Sequence, residues 1–541
     1  MVVMTSDDMA TAATAMQAGR WAEAVTAFGR VITETDDPWA HDGLAQAGWW
    51  IDDADMALVS REAAYRGFRA VGDDRAAGRA AATLGYDSIL FGRGVAVGRG
   101  WLARSVDLLA GRPDAPEAGW LAVRLAEVSL HADHDARTGL QHARVAEEIG
   151  RATGDHDLTF VGQGLAGLAL VRLGRVAEGM ALLDGAAGAA TAGDVDDLMW
   201  MGKICCWLIN ACQEAGDLTR ASTWCSRVEE ICRRQDLAPL FSVCRIQYAS
   251  VQMAQGDCVG AESTLEDVMA QLESSKRSAR LEAVAQLGEL RRRQGRYAEA
   301  EILLEQAGFH PGAVISLTRL RLEEGDATQA WSTVSELLRA LPDDHQLERA
   351  EVLAAVVEAG AAAGEIEPAR RAVAELRQTA DRVCTEAVLA IAAAAEARIA
   401  DRSAAQAAWQ DAIRHSVAAG LPFDEADHRL DLAEILVDTG AIKEARHQAA
   451  LALERVLPLG DGLAIARART ILGGAATGVP LTERQIEVLR LVARGLSNAE
   501  IATELVLSEH TVHRHIANIY DSLDIRSRAA AAAYAVGQGL G

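Results

Sequence analysis

The chain has 541 residues, too many for one compact domain, and a formal net charge of −24, which argues against non-specific binding of nucleic acid or membrane by the whole molecule. Half of the residues are hydrophobic, yet alanine dominates that half and aromatics make up only 4%. This composition suits closely packed helices better than a sheet-rich core, since Ala favours helix and is depleted in strands.

The opening "MVVMTSDDMA" has neither a basic start nor an apolar core, so no signal peptide is expected. The longest wholly apolar run, Ala387 to Ala395, falls far short of a membrane span. A cytoplasmic location and no membrane partner are expected. The eight Cys form no CxxC, and in a reducing compartment they are expected to be free thiols.

One phrase recurs along the chain: Gly, a polar residue, variable positions, then Ala five residues after the Gly. It reads "GRWAEA" from Gly19, "GDLTRA" from Gly216, "GDCVGA" from Gly256, "GRYAEA" from Gly295, "GDATQA" from Gly325, "GEIEPA" from Gly364 and "GAIKEA" from Gly440. A degenerate copy, "GRVAEG", starts at Gly174, and from there the steps are 42, 40, 39, 30, 39 and 76 residues, the last being two steps of 38. Further degenerate copies are expected near Asp53, Gly94, Asp135 and Asp401. The 30-residue step, near "GFHPGAV" (Gly308 to Val314), is irregular. The phrase predicts a helical hairpin: Gly ends one helix in the left-handed conformation, and Ala lets the second helix approach closely. A single hairpin cannot bury its apolar face, so neighbours must stack. The array resembles the tetratricopeptide class, with repeats longer than the usual 34 residues, which implies an α-solenoid with a concave face for peptides, proteins or small ligands.

Within the array, Met199 to Met253 gathers Trp200, Trp207, Trp224, Phe241 and Tyr248, with six of the eight Cys. These aromatics are a candidate ligand pocket. Core packing is the first reading, because Cys205 and Cys212, like Cys225 and Cys232, are seven apart and share a helix face. A thiol sensor is a further alternative. No His lies in the segment to complete a zinc pattern, and no metal site or cofactor is expected.

"LGGAATGVP", Leu472 to Pro480, reads as a flexible linker between a repeat domain at 1–471 and a final domain at 481–541. In the final domain Thr482 is placed to cap a first helix, with Gln485 three residues on and an apolar stripe at Ile486, Leu489 and Ala493. Gly495 stops it. Ser497 caps a second helix with Glu500 in the reciprocal position, and Ile501 and Leu505 face inward. Val506 and Leu507 make an apolar turn. Ser508 caps a third helix whose Val512, Ile516, Ile519 and Leu523 form one stripe, opposite His510, Arg514, Ala517 and Asn518. Ser527 caps a fourth. Two short helices, a brief turn and a longer helix with a polar outer face make a helix-turn-helix, so the chain is expected to be all-α: a tetratricopeptide-like α-solenoid followed by a small four-helix helix-turn-helix domain.

This last segment resembles the C-terminal domain of LuxR/FixJ-type transcription regulators. The family pattern is carried by Leu481, Thr482, Arg484, Glu487, Val488 and Leu489, then Gly495, Ser497, Asn498, Glu500, Ile501 and Ala502, then Ser508, Thr511, Val512 and His515. The resemblance implies that His513, Arg514 and Ala517 face base edges, that Ser508 and Thr511 meet phosphate, and that His515 packs and touches phosphate. Ser497, Asn498, His510 and Asn518 complete the expected DNA-contacting set. The fourth helix resembles the family's dimerisation helix, which implies a homodimer on double-stranded promoter DNA. Gln485, His513 and Ser522 stand where the family usually has Glu, Lys and Lys. Residues 481–541 hold six Arg and no Lys against seven Asp+Glu, a net of −1, which leaves −23 for the first 480 residues. Two missing lysines weaken phosphate binding.

No G-x-x-x-x-G-K-[ST], G-x-S-x-G or H-E-x-x-H is present, and no βα alternation that would build a receiver domain, so an enzyme is not expected. The expected function is a sequence-specific transcriptional regulator whose repeats sense a small-molecule or protein effector. The alternative is an interaction scaffold with a weak or vestigial DNA-binding domain.

Overall fold

The structure, a computed structural model, describes residues 2–235, 238–272, 279–343, 345–473, 483–505 and 507–523, together with Arg528, Ala531 and Ala535. Among the described residues there are 28 α-helices and no strand.

Twelve helical hairpins follow one another. The first four pair α1 (Val2–Gln17) with α2 (Trp21–Thr35), α3 (Pro38–Trp50) with α4 (Ala54–Ala70), α5 (Asp74–Leu90) with α6 (Val95–Leu109), and α7 (Pro116–His131) with α8 (Ala136–Thr153). The next four pair α9 (His156–Arg172) with α10 (Val176–Ala192), α11 (Leu198–Ala215) with α12 (Leu218–Gln235), α13 (Ala238–Gln255) with α14 (Cys258–Gln271), and α15 (Ala279–Arg293) with α16 (Tyr297–Ala307). The last four pair α17 (Pro311–Glu323) with α18 (Ala327–Ala340), α19 (Gln346–Ala363) with α20 (Ile366–Val383), α21 (Glu386–Ile399) with α22 (Arg402–Ala419), and α23 (Pro422–Asp438) with α24 (Ile442–Val456). A single helix, α25 (Gly462–Ile471), closes the series.

The recurring phrase does what its chemistry requires. Gly19, Gly174, Gly216, Gly256, Gly295, Gly325, Gly364 and Gly440 all turn at φ between 69° and 90°, a region that excludes most side chains. Five residues on, Ala24, Ala221, Ala261, Ala300, Ala330, Ala369 and Ala445 are wholly buried. Asp53, Asp135 and Asp401 each cap the second helix of a hairpin, accepting a backbone N–H at its start, and Gly94 precedes α6 at φ 106°. Each such Asp cap is worth about 1 kcal/mol. The irregular 30-residue step is a short unit: α16 has 11 residues and α17 has 13, with Pro311 starting α17.

First helices of successive hairpins also touch one another; α7 packs on α5 and α9, and α13 on α11 and α15. They form an inner layer, and α9 accordingly buries residues nearly all round. Farther along, α19 lies against α9 and α11, and α23 against α13. Both α9–α19 and α13–α23 are ten helices apart, so the array winds with about five hairpins per turn and encloses a lumen.

The segment expected to be a linker, 472–480, lies outside the described residues beyond Gly473. After it come α26 (Glu483–Ala493), α27 (Asn498–Glu504) and α28 (Glu509–Leu523). Their core gathers Val488, Leu489, Ile501, Val512, Ile516 and Ile519 with Ala531 and Ala535. Thr482, Val506, Ser527 and most of the expected fourth helix lie outside the described residues, as does the side chain of Leu523.

Candidate nucleic-acid interface and lumenal cavity

The start of α27 is fixed by a capping box. Ser497 accepts from the Glu500 backbone N–H, and the Glu500 carboxylate accepts from the Ser497 backbone N–H at 2.7 Å and from its hydroxyl at 2.7 Å. These bonds hold the Glu500 carboxyl below its ordinary range. At the start of α28, Ser508 Oγ accepts from the Thr511 N–H at 3.1 Å, and the two hydroxyls lie 2.7 Å apart. The hydroxyls of Ser497, Ser508 and Thr511 thus set the ends of the two helices.

On α28, Val512, Ile516 and Ile519 are buried, and His513, Arg514 and Asn518 are exposed on the other side. Thr511 and His515 are half-buried between the two faces. The side chains of His510 and Ala517 lie outside those described. Asn498 is half-buried, and its Oδ1 accepts from Arg528 at 2.9 Å, which ties α27 to the segment carrying Ala531 and Ala535.

The arginines divide in a way the sequence does not disclose. Arg484 donates to the Leu505 carbonyl at 2.6 Å and pairs with Glu487; Arg494 pairs with Glu504; Arg528 donates to Asn498 and the Leu496 carbonyl. Arg490 and Arg514 have no hydrogen-bonding partner among the described residues, and of these only Arg514 lies on α28.

Residues 479–535 match the family described as bacterial regulatory proteins, luxR family. The C-terminal domain is a LuxR-family helix-turn-helix. The chain is 48% identical over 60 residues to the transcriptional regulatory protein LnrK of Bacillus subtilis, covering 11% of this chain and 27% of that one. With the nitrate/nitrite response regulator protein NarP of Escherichia coli it is 53% identical over 51 residues, 9% of this chain and 24% of that one. The likeness therefore spans about a quarter of each relative. Among solved structures, the human IFIT1 dimer with PPP-AAAA aligns with 79% of this chain and 92% of its own at 12% identity and a TM-score of 0.40. Yeast Tom70 aligns with 86% and 95% at 13% identity and a TM-score of 0.31. The repeat architecture rests on the hairpins themselves. No helix among the described residues is long and apolar enough to cross a membrane.

Upstream of the LuxR-type domain, the aromatic cluster divides. Trp200 and Trp207 are buried with centroids 6.5 Å apart, and Trp200 also packs on Trp120 at 5.1 Å. Trp224 and Tyr248 pack, partly buried, against the same core. The side chain of Phe241 lies outside those described. Trp200 borders a cavity of about 80 Å³ with Trp49, Trp120 and Arg124, room for a few waters. Trp207, Trp224 and Tyr248 line none of the cavities described here. Cys205, Cys212, Cys225 and Cys258 are buried, and burial pushes the Cys258 thiol up to about 11.

The larger space lies in the lumen and was not legible in the sequence, because its walls come from seven inner helices. A cavity of about 440 Å³ is bounded by α11, α13, α15, α17, α19, α21 and α23. Leu347, Ala350, Val388 and Ile391 supply its apolar lining; of its carboxylates Glu214 is paired with Arg172 and Glu289 with Arg292 and Arg293, which leaves Glu282, Glu351 and Asp424 without an ion pair among the described residues. A second cavity of about 470 Å³ shares Arg293, Arg319, Asp424 and His428 with the first. There, burial and the neighbouring carboxylates Asp461 and Asp431 push the Asp427 carboxyl up to about 6, against Arg293 and Arg467.

Proposed function

We propose that the chain is a transcriptional regulator whose LuxR-type domain, residues 481–541, reads promoter DNA and whose repeat array, residues 1–471, carries the effector site, with 472–480 as the joint. The observation that carries the reading is Arg514: exposed on the polar face of α28, without a hydrogen-bonding partner among the described residues, above a core stripe that fixes its direction. An arginine so placed fits guanine O6 and N7 in the major groove, flanked by His513 and Asn518. Ser508, Thr511 and the α28 N–H groups they help position approach phosphate. Two domains on a symmetric site supply the affinity that one nearly neutral domain lacks.

The effector fits the 440 Å³ cavity better than the tryptophan segment, since its apolar lining and its carboxylates without an ion pair among the described residues suit a small molecule with both an apolar part and positive charge. It regulates only if it binds one arrangement of the array better than another.

Selection of genomic fragments by the full chain tests the reading. Enrichment of a common sequence, lost in Arg514→Ala, supports a regulator. The net charge of −1 over 481–541 favours the scaffold reading, and fragments recovered without any common sequence would establish it.

A further inference from the structure

Between α7 and α8, His134 holds φ 51°, a conformation that costs energy for a residue with a Cβ. On the next turn of the array His345 immediately precedes α19 and is wholly buried. The two rings meet edge to face with centroids 5.7 Å apart. Glu348, in the first turn of α19, reaches both: its Oε2 lies 2.8 Å from Nδ1 of His345 and 3.4 Å from Nδ1 of His134. Ligand atoms of the three residues all lie within 4.8 Å of one another. Nε2 of His345 is buried and has no hydrogen-bond partner among the described residues.

Hydrogen bonding within the trio does not account for all of this. Nδ1 of His134 and Nδ1 of His345 both face the same carboxylate oxygen, Oε2 of Glu348, and with the proton of each imidazole moved to Nε2 these three atoms are lone-pair donors, the form in which imidazole and carboxylate bind a metal ion. In a tetrahedral site with metal–ligand bonds of about 2.0–2.2 Å, neighbouring donor atoms stand about 3.3–3.6 Å apart. The two separations to Oε2, 2.8 and 3.4 Å, lie near that edge, and the two ligand nitrogens stand within 4.8 Å of each other. Two imidazoles and one carboxylate suit a borderline-soft transition ion and disfavour magnesium and calcium, which take oxygen ligands. Arg172, a cation within range of His134, is paired with Glu214 at 2.9 Å.

The geometry points to a transition-metal site of the zinc class, formed by His134, His345 and Glu348, that clasps the fourth hairpin to the tenth between successive turns of the superhelix. Three protein ligands leave a fourth position for water or an exogenous donor. Because the ligands are 211 residues apart in sequence between His134 and His345, the site exists only when the turns are in contact, and a bound ion stabilises that contact by linkage.

The test uses untagged full-length protein, stripped with chelator and titrated with Co²⁺ as a spectroscopic probe, then with Zn²⁺ in competition. One cobalt per chain is expected, with visible absorption of low-coordinate cobalt that zinc abolishes, and a higher Tm for the zinc-loaded chain. His134→Gln, at a half-exposed turn residue, and Glu348→Gln should each weaken cobalt binding at least ~100-fold. The metal-free Tm of His134→Gln should stay near that of the unmodified chain, so this variant decides the matter if Glu348→Gln fails to fold. Absence of the cobalt spectrum in the unmodified chain overturns the proposal. So does a spectrum that survives His134→Gln, which would place the ion elsewhere.

Discussion

Gly167 on α9 and Gly179 on α10 face each other so closely that a Cβ on Gly179 would stand 2.5 Å from the Gly167 carbonyl oxygen, and one on Gly167 would stand 2.8 Å from the Gly179 oxygen. Gly85 and Gly98 repeat the arrangement between α5 and α6, at 2.9 and 2.6 Å. Backbone, unlike a side-chain end, cannot swing aside. Gly179→Ala should therefore destabilise the array by about 1–3 kcal/mol, as overpacking does. Gly185, in the same helix but facing open space, is the control: Gly185→Ala should stabilise by about 0.5–1 kcal/mol. Thermal melts of the two variants check the pair of signs.

Glu127 is wholly buried on α7, where Arg124 donates to it at 2.6 Å and Lys203 of α11 also donates to it. Arg124 and Lys203 both stack over the rings of Tyr86 and Trp200. Glu127→Ala leaves two buried cations without their carboxylate and should cost about 3–5 kcal/mol in chemical denaturation. Replacing the trio together with apolar residues of similar volume should cost much less.

Trp207 packs in the core beside Trp200 and Ile204. Trp207→Ala should lower stability by about 3–5 kcal/mol, the scale for emptying an aromatic core site. A loss below about 1 kcal/mol, measured by denaturant unfolding, would restore the ligand-pocket reading of that segment.

Asp427 titrates near pH 6 in the folded chain, above the ordinary value of 3.8. A raised carboxyl binds its proton more tightly when folded, so its ionisation costs stability fully above about pH 6, and the cost disappears as pH falls through 3.8. Asp427→Asn should accordingly stabilise the chain at pH 7, by about 1 kcal/mol after allowance for solvent screening, with no gain below pH 4. Melting temperatures of both proteins between pH 4 and 8 give the comparison, within the range where the unmodified chain refolds.

Arg514→Ala should weaken binding at the preferred DNA site by about 1–3 kcal/mol and relax specificity at one position, with little effect on binding of unrelated DNA. Arg484→Ala, which removes the bond to the Leu505 carbonyl, should instead lower the stability of the LuxR-type domain. Unchanged affinity of the Arg514 variant for both the preferred site and unrelated DNA would sink the recognition-helix assignment. Competition binding at two salt concentrations separates these effects.

The sequence alone determined the local plan. Most hairpin turns announce themselves because Gly tolerates their φ best, though Asp52 and His134 hold it too, buried alanines because close helix contact leaves no room for more, and helix starts because Asp or Ser must satisfy free N–H groups. Even the degenerate units at Asp53, Asp135 and Asp401 obeyed these rules, and the apolar stripe of α28 fixed which face of the LuxR-type domain is open. Tertiary structure decided everything that depends on residues distant in the chain. It packed Trp200 and Trp207 into the core, spent Arg484 and Arg528 on carbonyls and amides while leaving Arg514 without such a partner among the described residues, and brought His134 to His345. The reason is geometric: each hairpin is coded within some forty residues, but the lumen and the contacts between turns come from small rotations summed over about five hairpins, and no local pattern records that sum.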